Sequence, residues 1–112
     1  MKAFFGFVPE IRSQELGAQG QGSGNSYREF LRVASMSAGV YVLPSGATDL
    51  QRPHHQDEIY YVIRGRGRFQ AAQEDHEVSA GSVLFVAAEI QHRFYEITEE
   101  LALLVVFAPP EN

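Results

Sequence analysis

The stretch GATDLQRPHHQDEIYYVIRGRGRF, residues 46–69, decides the fold. It opens on a glycine, crosses a polar cluster and enters an apolar run of Ile, Tyr and Val. Such a run, bounded by turn residues, predicts a strand over Glu58–Arg64. Gly65-Arg66-Gly67 reads as a turn, with Arg68–Ala72 as the return strand of a hairpin. In extended chain, side chains of equal parity share a face. Arg52, His54, Glu58, Tyr60 and Val62 therefore point one way, and His55, Asp57 and Tyr61 the other.

The pattern continues on both sides. Strands are predicted over Phe30–Met36 and over Gly39–Leu43, the latter closed by Pro44-Ser45-Gly46. Gln73–Asp75 turns into a short strand near His76–Val78, and Ala80-Gly81 turns into an apolar one over Ser82–Val86. His92–Ile97 alternates, and Thr98–Glu100 turns into Leu101–Ala108, which Pro109-Pro110 stops. About eight strands spaced by roughly 8–12 residues predict an all-β antiparallel sandwich or barrel. No long amphipathic helix competes. Pro9–Leu16 suits one or two helical turns, with Pro9 in the first. Gly17–Gly24 has nothing to bury and reads as a flexible loop. The expected organisation is an N-terminal extension over 1–26, a strand or helical turn plus a glycine-rich loop, followed by a barrel over 27–112. LALLVVFA, residues 101–108, is apolar on both faces. It reads either as a central core strand or as a strand whose outer face joins a homodimer interface.

Composition narrows the chemistry. The chain has 112 residues, 45% hydrophobic and 21% charged, which fits one globular domain with its own core. There is no cysteine, which excludes a disulfide scaffold, a thiolate metal site and a cysteine nucleophile. The net charge of -5 argues against nucleic acid as a partner. No apolar run approaches the roughly 20 residues that span a bilayer. The start, MKAFFGFVPE, makes a poor signal peptide, so a cytoplasmic protein without a membrane partner is expected. Chemistry falls to four histidines, the carboxylates, and the hydroxyls and amides.

Two of those histidines head strands. His54 shares a face with Glu58, and His92 shares one with Phe94 and Glu96. If the sheet curls so that both strands face one cavity, His54, Glu58 and His92 make a two-histidine, one-carboxylate set. Such a set suits a divalent metal ion (Fe, Mn, Ni, Cu or Zn) with positions left open for water or substrate. The structural alternative is that each is an exposed turn residue. His76 reads as exposed, and the alternating Arg64, Arg66 and Arg68 as a solvated strand face. Tyr60, Phe69, Phe85, Phe94 and Phe107 read as core or pocket wall. Gly65-Arg66-Gly67 is no dinucleotide fingerprint, and no serine-nucleophile elbow is present.

Residues 46–69 resemble the first motif of the cupin family: a Gly, two histidines, a Glu and a closing Gly. GSVLFVAAEIQHRF, residues 81–94, resembles the second: a Gly, an apolar strand, a Pro-x-Gly turn and a His. The resemblance covers about 39 to 108. It implies a double-stranded β-helix, or jelly-roll barrel, whose ligands face the interior. Carried over, Glu58 matches the motif glutamate, Gly65 the closing glycine, His54 the second motif histidine, and Gly81 and His92 the second motif. The first motif histidine would fall at Arg52, and Ala87 and Glu89 replace the second motif's Pro and Gly. Three arrangements follow. His54, Glu58 and His92 hold the metal alone; or Gln51 or His55 enters as a fourth ligand through a bulge; or Arg52 folds into the cavity and binds an anion.

The leading functional reading is a metal-dependent enzyme acting on a small organic molecule, resembling cupin dioxygenases, isomerases or lyases. Tyr60 would orient substrate or donate a proton, and Arg52 would pair with a substrate carboxylate. The second reading is a non-catalytic small-molecule binding cupin. The third is a structural dimer with a relic barrel.

Overall fold

In the computed structural model the described residues are 1–13, 25–49 and 51–111. The fold is an antiparallel jelly-roll barrel. Among the described residues one short helix, α1 (Val8–Ser13), precedes six strands: β1 (Ser26–Val33), β2 (Met36–Leu43), β3 (Asp57–Ala71), β4 (Glu74–Ser79), β5 (Val83–Val86) and β6 (His92–Ala108). The strand order is β1-β2-β6-β3-β4, with β5 pairing the first part of β3 on the same edge as β4, opposite β6.

Two strands are longer than the sequence suggests. Gly65-Arg66-Gly67 does not reverse the chain; β3 runs straight through it for 15 residues. Thr98–Glu100 likewise lies inside the 17-residue β6. These segments are corners. The β3–β6 register shifts between Val62 and Arg68, so both strands bend there while staying paired. Gly65 has φ 103°, and a Cβ at that position would collide with the Glu100 carbonyl. The turn chemistry therefore serves a bend with close backbone approach rather than a hairpin. Beyond the corner, β3 pairs β4 and the first half of β6; before it, β3 pairs β5 and the second half of β6.

The predicted Phe30–Met36 strand is also corrected. The chain reverses at Ala34-Ser35, and β1 begins earlier, at Ser26. Neither turn residue is Gly, Pro, Asn or Asp, so the sequence carries no strong turn signal there. Helix α1 occupies Val8–Ser13 of the predicted Pro9–Leu16 span. The rest of that span and the glycine-rich loop lie outside the described residues. Ile11 and Val8 pack on Val40, Val42 and Phe30, covering one side of the sheet's outer face.

The core lies between the two halves. Alternation places Glu58, Tyr60 and Val62 inside on β3, with Asp57, Ile59 and Tyr61 exposed. Tyr60 meets Phe69 and Phe94 edge-on, with ring centroids 5.9 and 5.1 Å away, joining the two halves through aromatic contacts. In LALLVVFA, Leu101, Leu103, Val105 and Phe107 are buried in this core, between β2 and β3. Its outer neighbours Ile59, Tyr61, Val83 and Phe85 are exposed. Among the described residues no helix is long and apolar enough to cross a membrane.

Candidate metal centre

Three residues distant in sequence meet inside the barrel. Glu58 and Tyr60 point inward from the start of β3, and His92 from the start of β6. His54 reaches in from the loop before β3, which is tied to the turn before β6 by a 2.7 Å bond from the Glu89 N–H to the His54 carbonyl. Ligand atoms of His54, Glu58 and His92 lie within 4.8 Å of one another. The closest pairs are His92 Nε2 to Glu58 Oε1, 2.7 Å, and His54 Nε2 to Glu58 Oε2, 3.7 Å.

The surrounding hydrogen bonds set the tautomers. His92 Nδ1 lies 2.8 Å from the Ile90 carbonyl, which can only accept, so Nδ1 carries the proton of the neutral ring. His54 has an acceptor at each nitrogen: Nδ1 lies 2.9 Å from a carboxylate oxygen of Glu111, and Nε2 lies 3.0 Å from Gln51 Oε1. Nε2 is therefore bare in the neutral His92 ring, and bare in His54 when Nδ1 holds the proton. Gln51 is fixed too. Its amide nitrogen donates to Asp49 Oδ2 at 2.8 Å, which turns Oε1 toward His54 Nε2 at 3.0 Å.

Four acceptors thus converge: two imidazole nitrogens, the Glu58 carboxylate and the Gln51 amide oxygen. Glu58 is 2% exposed, and neither of its oxygens has a hydrogen-bond donor from neutral side chains. Buried acceptors facing each other are costly unless a cation or a proton lies between them. The His92 imidazole responds in that direction. Burial opposes its charge, but the Glu58 carboxylate and Ile90 carbonyl, with Asp49 beyond, hold its pKa above the ordinary value. One hydroxyl enters the group. Tyr60 donates to Gln51 Oε1 at 3.0 Å and lies 3.1 Å from His92 Nε2. Burial first, then Glu58, pushes the Tyr60 pKa far up, so it stays a neutral phenol. The donor chemistry, with both Nδ1 protons tied to second acceptors, fits a divalent cation.

Asp49 organises one side. Its carboxylate accepts from Tyr41 Oη, Gln51 Nε2 and the Phe94 N–H at 2.8–2.9 Å. Next to the cluster lies a cavity of about 450 Å³, with Tyr27, Tyr41, Val105 and Phe107 in its walls and Gln51, His54 and Tyr60 at its polar end. The Tyr27 ring covers Gly39, where a Cβ would overlap it. Arg52 and Glu111 also line the cavity, and Arg52 has no ion-pair partner among the described residues.

The remaining sequence candidates fall elsewhere. His55 is exposed and pairs with Glu89 Oε2 at 2.7 Å, away from the cluster, as strand parity implied. Gln51, the other candidate for a fourth ligand, lies beside the cluster instead, with Oε1 3.0 Å from His54 Nε2. Residues 51–54 precede the strand, so strict alternation does not govern them and Gln51 turns in beside His54. His76 is exposed beside Glu74. Sequence reasoning missed Asp49 and Glu111. Asp49 is one polar residue among several in its loop, and Glu111 follows two prolines beyond the last strand, so no spacing marks either.

A barrel of bent antiparallel strands, with two histidines and a glutamate converging inside it, defines a cupin-type β-barrel. Residues 39–107 match the cupin domain family, and the chain belongs to that family. An uncharacterized protein of Streptomyces coelicolor is 44% identical over 112 residues, covering 100% of both chains. Among solved structures, an RmlC-like cupin from Shewanella frigidimarina aligns with a TM-score of 0.77 at 18% identity, covering 96% of this chain and 92% of that one. A predicted oxalate decarboxylase from Thermotoga maritima aligns with a TM-score of 0.66 at 23% identity, covering 76% and 80%.

Proposed function

We propose that this cupin is a metal-dependent enzyme acting on a small organic molecule, with His54, Glu58 and His92 holding a divalent ion and Gln51 as the fourth ligand. The observation that carries this is the convergence of four acceptors, one of them a buried carboxylate that lacks donors. A metal ion bound there supplies Lewis acidity, polarising a substrate oxygen or activating water or dioxygen. The chain's own groups do the rest. Tyr60 Oη holds its proton at the polar end of the cavity, where it can orient a substrate oxygen or donate to it. Arg52, unpaired at the cavity wall, suits a substrate carboxylate. The aromatic walls favour an apolar or planar body and exclude water. Dioxygenase, isomerase and lyase chemistry all fit this arrangement.

The replacement of the first motif histidine by Arg52 favours a second reading, a non-catalytic module that binds a small anion. We further infer a homodimer formed through the exposed outer face at Ile59, Tyr61, Val83 and Phe85. Elemental analysis of protein purified without chelator tests the metal. Wild type should carry close to one equivalent, and His54→Ala and His92→Ala should carry little. Metal retained in both variants would sink the proposal. Metal-dependent turnover of a carboxylate substrate panel separates the enzyme from the binding module. Light scattering of wild type against Phe85→Glu tests the dimer, which should become a monomer.

A further inference from the structure

The two imidazoles are held by different means. His92 Nδ1 faces a backbone carbonyl two residues before it, which no side-chain replacement removes. His54 Nδ1 faces a side chain, Glu111, from the segment that follows β6. That segment is anchored at several points. The Glu111 N–H donates to Ser37 Oγ at 2.9 Å, the Arg32 guanidinium donates to the Glu111 carbonyl, and Gln56 Nε2 donates to the Pro110 carbonyl at 3.2 Å. The carboxylate is delivered to His54 by a fixed backbone.

The other ring nitrogen has a competing partner. His54 Nε2 lies 3.0 Å from Gln51 Oε1. A proton on Nε2 would be well placed to bond that oxygen, and it would cap both ligand atoms at once. Which nitrogen carries the proton therefore decides whether this half of the cluster is open. We propose that Glu111 is a positioning residue that keeps the site open. By accepting the Nδ1 proton, its carboxylate holds His54 in the tautomer that leaves Nε2 bare toward Glu58 and Gln51. The segment after β6 is thereby part of the metal centre without touching the ion. This inference rests on the metal-centre reading above, but its first readout needs no metal.

The test uses the full chain at pH 8, metal-free, with nitrogen–proton correlation spectra of the imidazoles. Wild type should show His54 as Nδ1–H. Glu111→Ala should move the proton to Nε2, with His92 unchanged as an internal control. Glu111→Gln, which keeps an acceptor oxygen, should retain Nδ1–H. Zinc affinity, measured by competition with a chromogenic chelator, should fall about 10–100-fold in Glu111→Ala and change by under about threefold in Glu111→Gln. An unmoved His54 tautomer in Glu111→Ala overturns the proposal, and so does wild-type zinc affinity in that variant. Loss of the Nδ1–H form in Glu111→Gln also contradicts it. The tautomer change without any zinc binding by wild type supports the role of Glu111 and sinks the metal reading. Tight zinc binding that ignores Glu111 does the reverse.

Discussion

Replacing Glu58 by Gln should make the metal-free protein more stable while weakening its response to metal. Glu58 is 2% exposed, and its oxygens face the bare Nε2 atoms of His92 at 2.7 Å and His54 at 3.7 Å. Leaving a buried polar group unmet costs about 1–3 kcal/mol, and more when it is charged. An amide in place of the carboxylate removes the charge and offers an N–H to His92 Nε2. Metal-free Glu58→Gln should therefore gain about 1–3 kcal/mol over metal-free wild type. For a domain of this size each kcal/mol moves Tm by roughly 4–8 °C, so a rise of at least about 4 °C is expected. Zinc at a hundred times its Kd adds about 2.7 kcal/mol to wild type and much less to the variant, narrowing the gap or reversing the order. Calorimetry at pH 8, with chelator and then with excess zinc, reads both effects. The reasoning fails if the metal-free variant is less stable than wild type, or if zinc raises both equally.

Other outcomes follow from the same geometry. Phe94, fully buried against Tyr60 and Phe69, should cost about 3–5 kcal/mol when cut to Ala, read by urea unfolding. Gly65→Ala should cost at least about 1–3 kcal/mol from the left-handed backbone alone, because φ is 103° and Glu100 blocks the new methyl; an unchanged Tm would refute the corner assignment. The Tyr95 hydroxyl, and after it Arg68, hold the Asp75 carboxyl below its ordinary pKa despite some burial cost. A depressed carboxyl stabilises above the unfolded value, about 3.9, and loses that contribution as pH falls through its lower folded value. The Tm gap between wild type and Asp75→Asn should therefore be open at pH 6 and close in strong acid. Tyr60→Phe should keep zinc affinity within about tenfold, since other groups orient the ligands, yet lower turnover of any substrate found; unchanged turnover would remove Tyr60 from the chemistry.

Strand alternation made the inward set Glu58, Tyr60 and Val62 legible, because period-two parity holds wherever a ladder enforces it. The resemblance to the cupin motifs brought His92 to the same site. What stayed hidden lies outside that regularity. The Gly65 and Thr98–Glu100 corners look like turns because a bend and a reversal use the same residues. Gln51 enters the cluster from irregular chain, where parity says nothing. Asp49 and Glu111 act only by accepting hydrogen bonds from groups far along the sequence. Such partners are set by tertiary packing, and a lone carboxylate in a loop looks the same whether it faces solvent or a buried imidazole.

The central claim is that the four acceptors hold a divalent cation. The direct measurement is anomalous diffraction at the zinc edge from crystals grown with equimolar zinc. One strong peak is expected inside the barrel, about 2.0–2.2 Å from His54 Nε2, His92 Nε2 and a Glu58 oxygen. A barrel interior without a peak, or zinc found only at surface groups such as His76 and Glu74, would contradict it.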